Sequence, residues 1–180
     1  SSLAYSTCVS GEYGNSVSSR IESPCFDFST LGRPQVDFMY WVNSDTTADI
    51  TSFEYTLDGM LWNPVGQMGD TLNWFTDSMG WSGTSQSTWQ MARHDLFMLA
   101  NEPWVKFRFV FNSDTTTNML DGFAFDDFHV YEVPVIDIAM DSLTSPMDAC
   151  EHNMETVTIK FHNTNAVETI PTGDTLIFHA

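Results

Sequence analysis

The sequence predicts an all-β protein, a β-sandwich followed by the opening strands of a second β domain. Short runs of alternating apolar and polar residues recur along the chain, separated by Gly, Asn, Asp and Pro, and this is the period of half-buried strands. No stretch places apolar residues at helical spacing, which argues against crossover helices and a parallel sheet. A content of 42% apolar and 14% aromatic residues in a chain of 180 is ample for a packed core.

After Pro34, the residues Val36, Phe38, Tyr40 and Val42 alternate with Asp37, Met39 and Trp41, predicting a strand apolar on one face and mixed on the other. Phe53, Tyr55 and Leu57 repeat the pattern up to Asp58-Gly59, a two-residue hairpin signal, and Met60 to Val65 is expected to return as the partner strand. Residues 66–90 are rich in Gly, Ser, Thr, Asp and Trp, and read as a long ordered loop or a pair of short irregular strands held down by tryptophan. Leu96, Met98 and Leu99 mark a short turn or strand. Val105, Phe107, Phe109 and Phe111 then alternate with Lys106, Arg108 and Val110 in the clearest strand of the chain. Phe123 to Tyr131 is apolar on both faces and is therefore expected to be central in its sheet.

Pro134 ends this pattern, so the sandwich is assigned to residues 1–132 and the second domain to residues 133–180. Val135, Ile136, Ile138 and Met140 begin a new strand there, Ser145-Pro146-Met147-Asp148 makes a turn, Val157, Ile159 and Phe161 alternate as a second strand, and Leu176-Ile177-Phe178 is a third. About three strands cannot bury both faces of a sheet, so this domain is expected to be truncated or completed by another chain.

The charge is lopsided. Six Lys plus Arg against twenty-four Asp plus Glu leave a formal charge of -18, which repels nucleic acid and acidic membranes and excludes both as partners. Such acidity reads as solubility in salty surroundings, as a surface that collects divalent cations, or as simple avoidance of Lys. No run of apolar residues is long enough to span a membrane, and the N-terminus lacks the pattern of an export signal, so any such signal is expected to lie upstream or to have been removed. Cys8 and Cys25 bracket a short polar loop. A disulfide between them would contribute about 3 kcal/mol in the chain-entropy model and requires an oxidising compartment, which points to a secreted, extracellular protein. Cys150 is then left without a partner in this chain, as a truncated domain would leave it.

Several segments carry a family likeness: Glu22-Ser23-Pro24-Cys25-Phe26-Asp27-Phe28-Ser29, Tyr55-Thr56-Leu57-Asp58-Gly59 with Trp62, Asn73-Trp74-Phe75, Trp81-Ser82-Gly83 with Trp89, Val105-Lys106-Phe107-Arg108-Phe109, and Gly122-Phe123-Ala124-Phe125-Asp126-Asp127. In this order they resemble the MAM-like jelly-roll modules of large secreted proteins of Bacteroidetes, often exported by the type IX route. The likeness covers roughly residues 5–132 and implies a jelly-roll sandwich of adhesin-like character. Cys150, Glu155-Thr156-Val157-Thr158-Ile159 and Asn163 resemble the start of the immunoglobulin-like module that often follows. One departure is that no acidic residue stands between Tyr13 and Arg20, where many relatives carry one.

Candidate site residues fall into two groups. Asn43-Ser44-Asp45-Thr46-Thr47 and Asn112-Ser113-Asp114-Thr115-Thr116 are near-identical and each follows an apolar strand, so two strands are expected to deliver Asp45 and Asp114 to one end of the sandwich. With Asp49, Asp121, Asp126, Asp127 and Glu22 they form a pool of oxygen ligands suited to structural calcium; the same residues are also ordinary turn formers. An aromatic strand buries at least one of Asp126 and Asp127, which then needs a cation, an arginine such as Arg108, or backbone donors. Trp74, Trp81 and Trp89 form the second group: exposed indoles there would stack on sugar rings and make glycans a partner, whereas buried ones would pin the loop.

No metalloprotease, nucleophile-elbow or phosphate-loop pattern is present, and the five histidines are dispersed, so no catalytic residue is assigned. The expected function is a non-catalytic adhesion or binding module of a multidomain secreted or cell-surface protein. The alternatives are an accessory domain of a secreted peptidase or glycan hydrolase, possessing a carbohydrate site, and a structural spacer in a stalk or filament.

Overall fold

A computed structural model describes residues 4–8, 10–46, 48–84, 88–116, 120–134, 138–145 and 157–164. The chain divides into two compact units, Ser1–Val133 and Pro134–Ala180. The first unit holds strands β1 (Tyr5–Ser6), β2 (Ser18–Glu22), β3 (Pro34–Asn43), β4 (Ile50–Thr56), β5 (Asn63–Pro64), β6 (Gln90–Asp95), β7 (Lys106–Asn112) and β8 (Gly122–Glu132), with a 3-10 turn at Phe97–Leu99.

These strands form two antiparallel four-stranded sheets, a front sheet in the order β1-β8-β3-β6 and a back sheet in the order β2-β7-β4-β5. Every connection except β4 to β5 passes from one sheet to the other, which is the jelly-roll arrangement. The all-β sandwich read from the sequence is the observed fold.

The alternation in the sequence explains the core. In β3 every second residue from Pro34 to Val42 is buried, and in β7 Phe107, Phe109 and Phe111 are buried while Lys106, Arg108 and Val110 face outward. The inward rings meet between the sheets, with Phe109 and Phe125 stacked at 4.2 Å between centroids, Phe38 and Phe109 edge-on at 5.0 Å, and Phe38 against Phe53 at 5.7 Å. Aromatic pairs in these geometries add about 0.5–1.5 kcal/mol each beyond the area they bury.

Strands β1, β2 and β6 were not legible as strands, because Ser18-Ser19-Arg20 and Gln90-Met91-Ala92-Arg93 carry few apolar residues. β8 is central as expected, lying between β1 and β3. The β4–β5 hairpin is wider than a two-residue turn. Tyr55 pairs with Asn63 and Glu54 with Pro64, and Asp58 Oδ1 accepts the N–H groups of Met60 and Leu61 at 2.8 Å, so the side chain organises an open loop instead of letting the strands close at Gly59.

The second unit contains β9 (Ile138–Ser145) and β10 (Thr158–Asn163), paired antiparallel from Ile138–Asn163 to Ser145–Thr158 with two register shifts. Its strands leave Met140, Leu143 and Ile159 exposed. The strand expected at Leu176–Phe178, the turn at Ser145–Asp148 beyond its first residue, and Cys150 lie outside the described residues.

Candidate functional site

The repeated Asn-Ser-Asp-Thr-Thr segments do arrive at one end of the sandwich. β3 ends at Asn43 opposite Gly122, and β7 ends at Asn112 opposite Ile50, so Asp45, Asp49, Asp114 and Asp121 rim the same end. Asp49 is the anchor. It is 0% exposed, the Tyr13 hydroxyl donates to its Oδ2, and the backbone N–H of Asp114 donates to Oδ1 at 2.8 Å. Ser44 Oγ donates to the Asp49 carbonyl at 3.2 Å, and the Asp45 N–H reaches the Tyr13 oxygen at 3.3 Å. One buried carboxylate thereby ties the β1–β2, β3–β4 and β7–β8 connections together.

Around it the acids are already engaged. Asp114 accepts the N–H and hydroxyl of Thr116 at 2.7 and 2.9 Å, and Asp121 accepts Asn43 Nδ2 at 2.9 Å. Among the described residues no group of three His, Cys, Asp or Glu is gathered for a metal. A calcium ion at this end would have to displace Tyr13 or the Asp114 N–H from Asp49, or sit on the rim with Asp45 and Asp121.

The other three members of the expected ligand pool lie elsewhere. Asp126 sits within β8 opposite Met39, and one residue, Phe38, faces both Asp127 and Phe128. This is a β-bulge, with Asp127 at φ 50°, and it turns Asp127 out to solvent while Asp126 stays half-buried and accepts the Asp127 N–H at 2.8 Å. Arg108 compensates neither of them: it belongs to the back sheet, where it pairs with Glu54 at 2.6 Å and lies 4.1 Å over the Trp62 ring. Glu22 is exposed at the edge of that sheet, with Lys106 at 3.1 Å and Arg20 at 3.2 Å. Its carboxyl is held below the usual range, chiefly by the hydrogen bond from Lys106.

The tryptophan platform is not formed. Trp74 and Trp81 are 1% and 0% exposed, each with its indole N–H donated to a backbone carbonyl, Val65 at 2.8 Å and Asn73 at 3.0 Å, so neither has a face to offer a sugar. Of the three, only Trp89, at 44%, is exposed. The expected Cys8–Cys25 bridge is also absent, and both thiols are free. Cys8 lies at the Asp49 end, its thiol meeting the Glu12 carbonyl, whereas Cys25 precedes Phe26, which bridges to Val105 at the other end of β7. At about 3.3 Å per residue those ends are roughly 20 Å apart, and a disulfide needs Cα atoms within about 7 Å.

The outer face of the front sheet carries an array that the sequence did not reveal. Register places Tyr131, Gln35 and Asp95 in one row across the sheet and His129, Asp37 and Arg93 in the next. The Tyr131 hydroxyl lies 2.6 Å from Gln35 Oε1 and 3.0 Å from Asp37 Oδ2 and shares its one proton between them, Gln35 Nε2 donates to Asp95 at 2.7 Å, and Asp37 also meets His129 Nδ1 at 3.1 Å and Arg93 Nη2 at 3.5 Å. Burial, then the hydrogen bond and negative charge of Asp37, hold the Tyr131 hydroxyl above the usual phenol range. Met39 and Met91 continue the face as an apolar strip. Its signal in the sequence was the polar half of the β3 alternation, but the array assembles only once β6 and β8 are placed beside β3. No protein-family model matches the chain, and no curated protein matches it significantly.

Proposed function

We propose that the protein is a non-catalytic adhesion or binding module of a larger secreted or cell-surface protein, and that its ligand lies on the outer face of the front sheet. The observation that supports this reading is the array of Gln35, Asp37, Arg93, Asp95, His129 and Tyr131, held in place by its own hydrogen bonds on three adjacent strands. Such preorganisation lowers the ordering cost of binding. An accessory carbohydrate-binding role is the second reading, favoured by exposed Trp89 immediately before β6.

A glycan and matrix-protein array probed with the whole chain tests both. Retention on particular ligands, lost in Arg93→Ala and His129→Ala with the melting temperature unchanged, is the expected result; retention equal in wild type and both variants sinks the assignment of this face. Structural calcium at the Asp45–Asp121 rim is part of the same proposal. Melting in calcium and in chelator checks it, and coincident curves remove the ion.

A further inference from the structure

We infer that the lateral opening between β1 and β2 is a docking slot for an extended peptide of another protein, alternating apolar and basic residues and lying as an added strand along β8. β8 spans eleven residues, and β3 pairs with it from Gly122 to Glu132. On its other side β1 pairs only with Phe125 and Ala124, extended by the Thr7 N–H to the Phe123 carbonyl at 2.9 Å. Beyond Phe125, among the described residues, no strand lies on that side, so past the bulge at Asp127 the residues Phe128 to Glu132 present an unpaired backbone edge, which is a template for strand addition.

Directly inside that edge is a hollow of about 250 Å³, floored by Phe53, Phe107 and Phe109, with Phe128 on the β8 lip and Ile21 and Phe26 on the opposite one. A strand along β8 would point every second side chain into this hollow, beside Phe128. Those side chains must be apolar.

The alternate side chains of the added strand would stand beside Asp126 and Asp127. Among the described residues neither carboxylate has a cationic partner, and Asp127 is exposed by the bulge. Basic residues at those positions would complement them, as opposite charges do across neighbouring strands. The same charge argument selects against a second copy of this chain, whose twenty-four acidic residues outnumber six basic ones. The hollow lies inside the sandwich, lined by Ile21 and Phe128, and although an added strand would pass His129 and Tyr131 on the outer face of β8, the array's Arg93 and Asp95 stand two strands away on β6. Arg93 on β6 therefore reports on the array alone and Ile21 on β2 on the slot alone, so the failure of one reading is distinguishable from the failure of the other.

Fluorescence anisotropy with a labelled peptide of about seven alternating Lys and Val residues provides the test, alongside a peptide of the same composition with its Lys and Val in two blocks. The alternating peptide is expected to bind saturably. Ile21→Trp, which fills the hollow, and the double variant Asp126→Lys with Asp127→Lys are each expected to weaken it by about tenfold or more. The double variant changes outward positions, so it decides the matter if Ile21→Trp does not fold. No saturable binding below about 1 mM, equal binding of the blocked peptide, or indifference to the double variant would each overturn the inference. So would a concentration-dependent dimer, seen by sedimentation, that Ile21→Trp abolishes, because the slot would then belong to a second copy.

Discussion

The two lateral edges of the sandwich differ: one is sealed and the other is left open. On the β6 side, a loop rather than a strand seals the edge: Leu72 accepts the Arg93 N–H at 3.1 Å, Thr71 donates to the Arg93 carbonyl, and Asn73 Nδ2 donates to the Met91 carbonyl at 2.8 Å. The same loop crosses to the back sheet, where Trp81 exchanges two backbone hydrogen bonds with Thr51 at 2.9 Å. Trp74 and Trp81 fill the space between, 5.3 Å apart and within 6 Å of Phe38. On the β1 side two residues of β1 and five of β2 face each other across an open hollow, and Tyr5 stacks on Phe125 while still 60% exposed. A sheet edge can therefore be finished by side chains and turns when a strand is lacking, and where neither is supplied a hollow stays beside the core, floored by the buried Phe53, Phe107 and Phe109.

Removing the seal should be the largest effect. Trp81→Ala takes a fully buried indole out of the centre of the closed edge and leaves the Asn73 carbonyl without its donor, so a loss of about 3–5 kcal/mol in urea unfolding is expected. Ile21→Ala, at the open edge, should cost less, about 1–2 kcal/mol, because its side chain is only partly buried against the core. Equal losses would erase the distinction between the edges. Gly80→Ala falls between them: a Cβ there would collide with the Thr51 carbonyl oxygen, in the middle of the bridge that carries the loop to the back sheet. A cost of about 1–3 kcal/mol is expected, with faster proteolysis of residues 66–84 than in the wild type. An unaltered protein would mean that the Trp81–Thr51 bridge does not hold the loop.

The sequence made the centre of this fold legible and left its margins dark, for a physical reason. β3 and β7 are buried on one face over their whole length, so Val36 to Val42 and Val105 to Phe111 had to alternate. β2 and β6 contribute only a residue or two each to the core, among them Ile21 and Ala92, and β1 contributes none, so too few apolar positions remain to set a period. The loop at residues 66–90 had the composition of any polar connection, and only its tryptophans betrayed that it is packed. The candidate site divides in the same manner. Asp45, Asp49, Asp114 and Asp121 reach the same end because strand ends are fixed by the strands themselves, whereas Asp126 and Asp127 lie four and five residues along β8 from its start at Gly122, away from that end.

The smallest expected effects are electrostatic, and they separate the edges by the kind of partner each carboxylate has. At the closed edge the Asp70 carboxyl is held below its usual range first by the Gln67 N–H, which it accepts at 2.8 Å, with the His94 ring adding to this from 3.4 Å. At the open edge Glu22 is held low mainly by Lys106. Both are acids whose folded pKa is depressed, so each contributes stability above its unfolded value, near 3.8 for Asp70 and 4.5 for Glu22, and the contribution is lost as the pH falls through the folded value. Asp70→Asn and Glu22→Gln should each lower the urea midpoint at neutral pH and converge on the wild type in acid, where the native carboxyl is itself neutral. Salt should then tell them apart. The Lys106 charge at the surface is screened within about 8–10 Å at moderate ionic strength, so the Glu22→Gln difference should shrink as salt is added. The Asp70→Asn difference should persist, because a backbone N–H aimed at a carboxylate is a fixed local dipole rather than a mobile side-chain charge. If both differences fade together with salt, the two edges do not differ in how they hold their carboxylates.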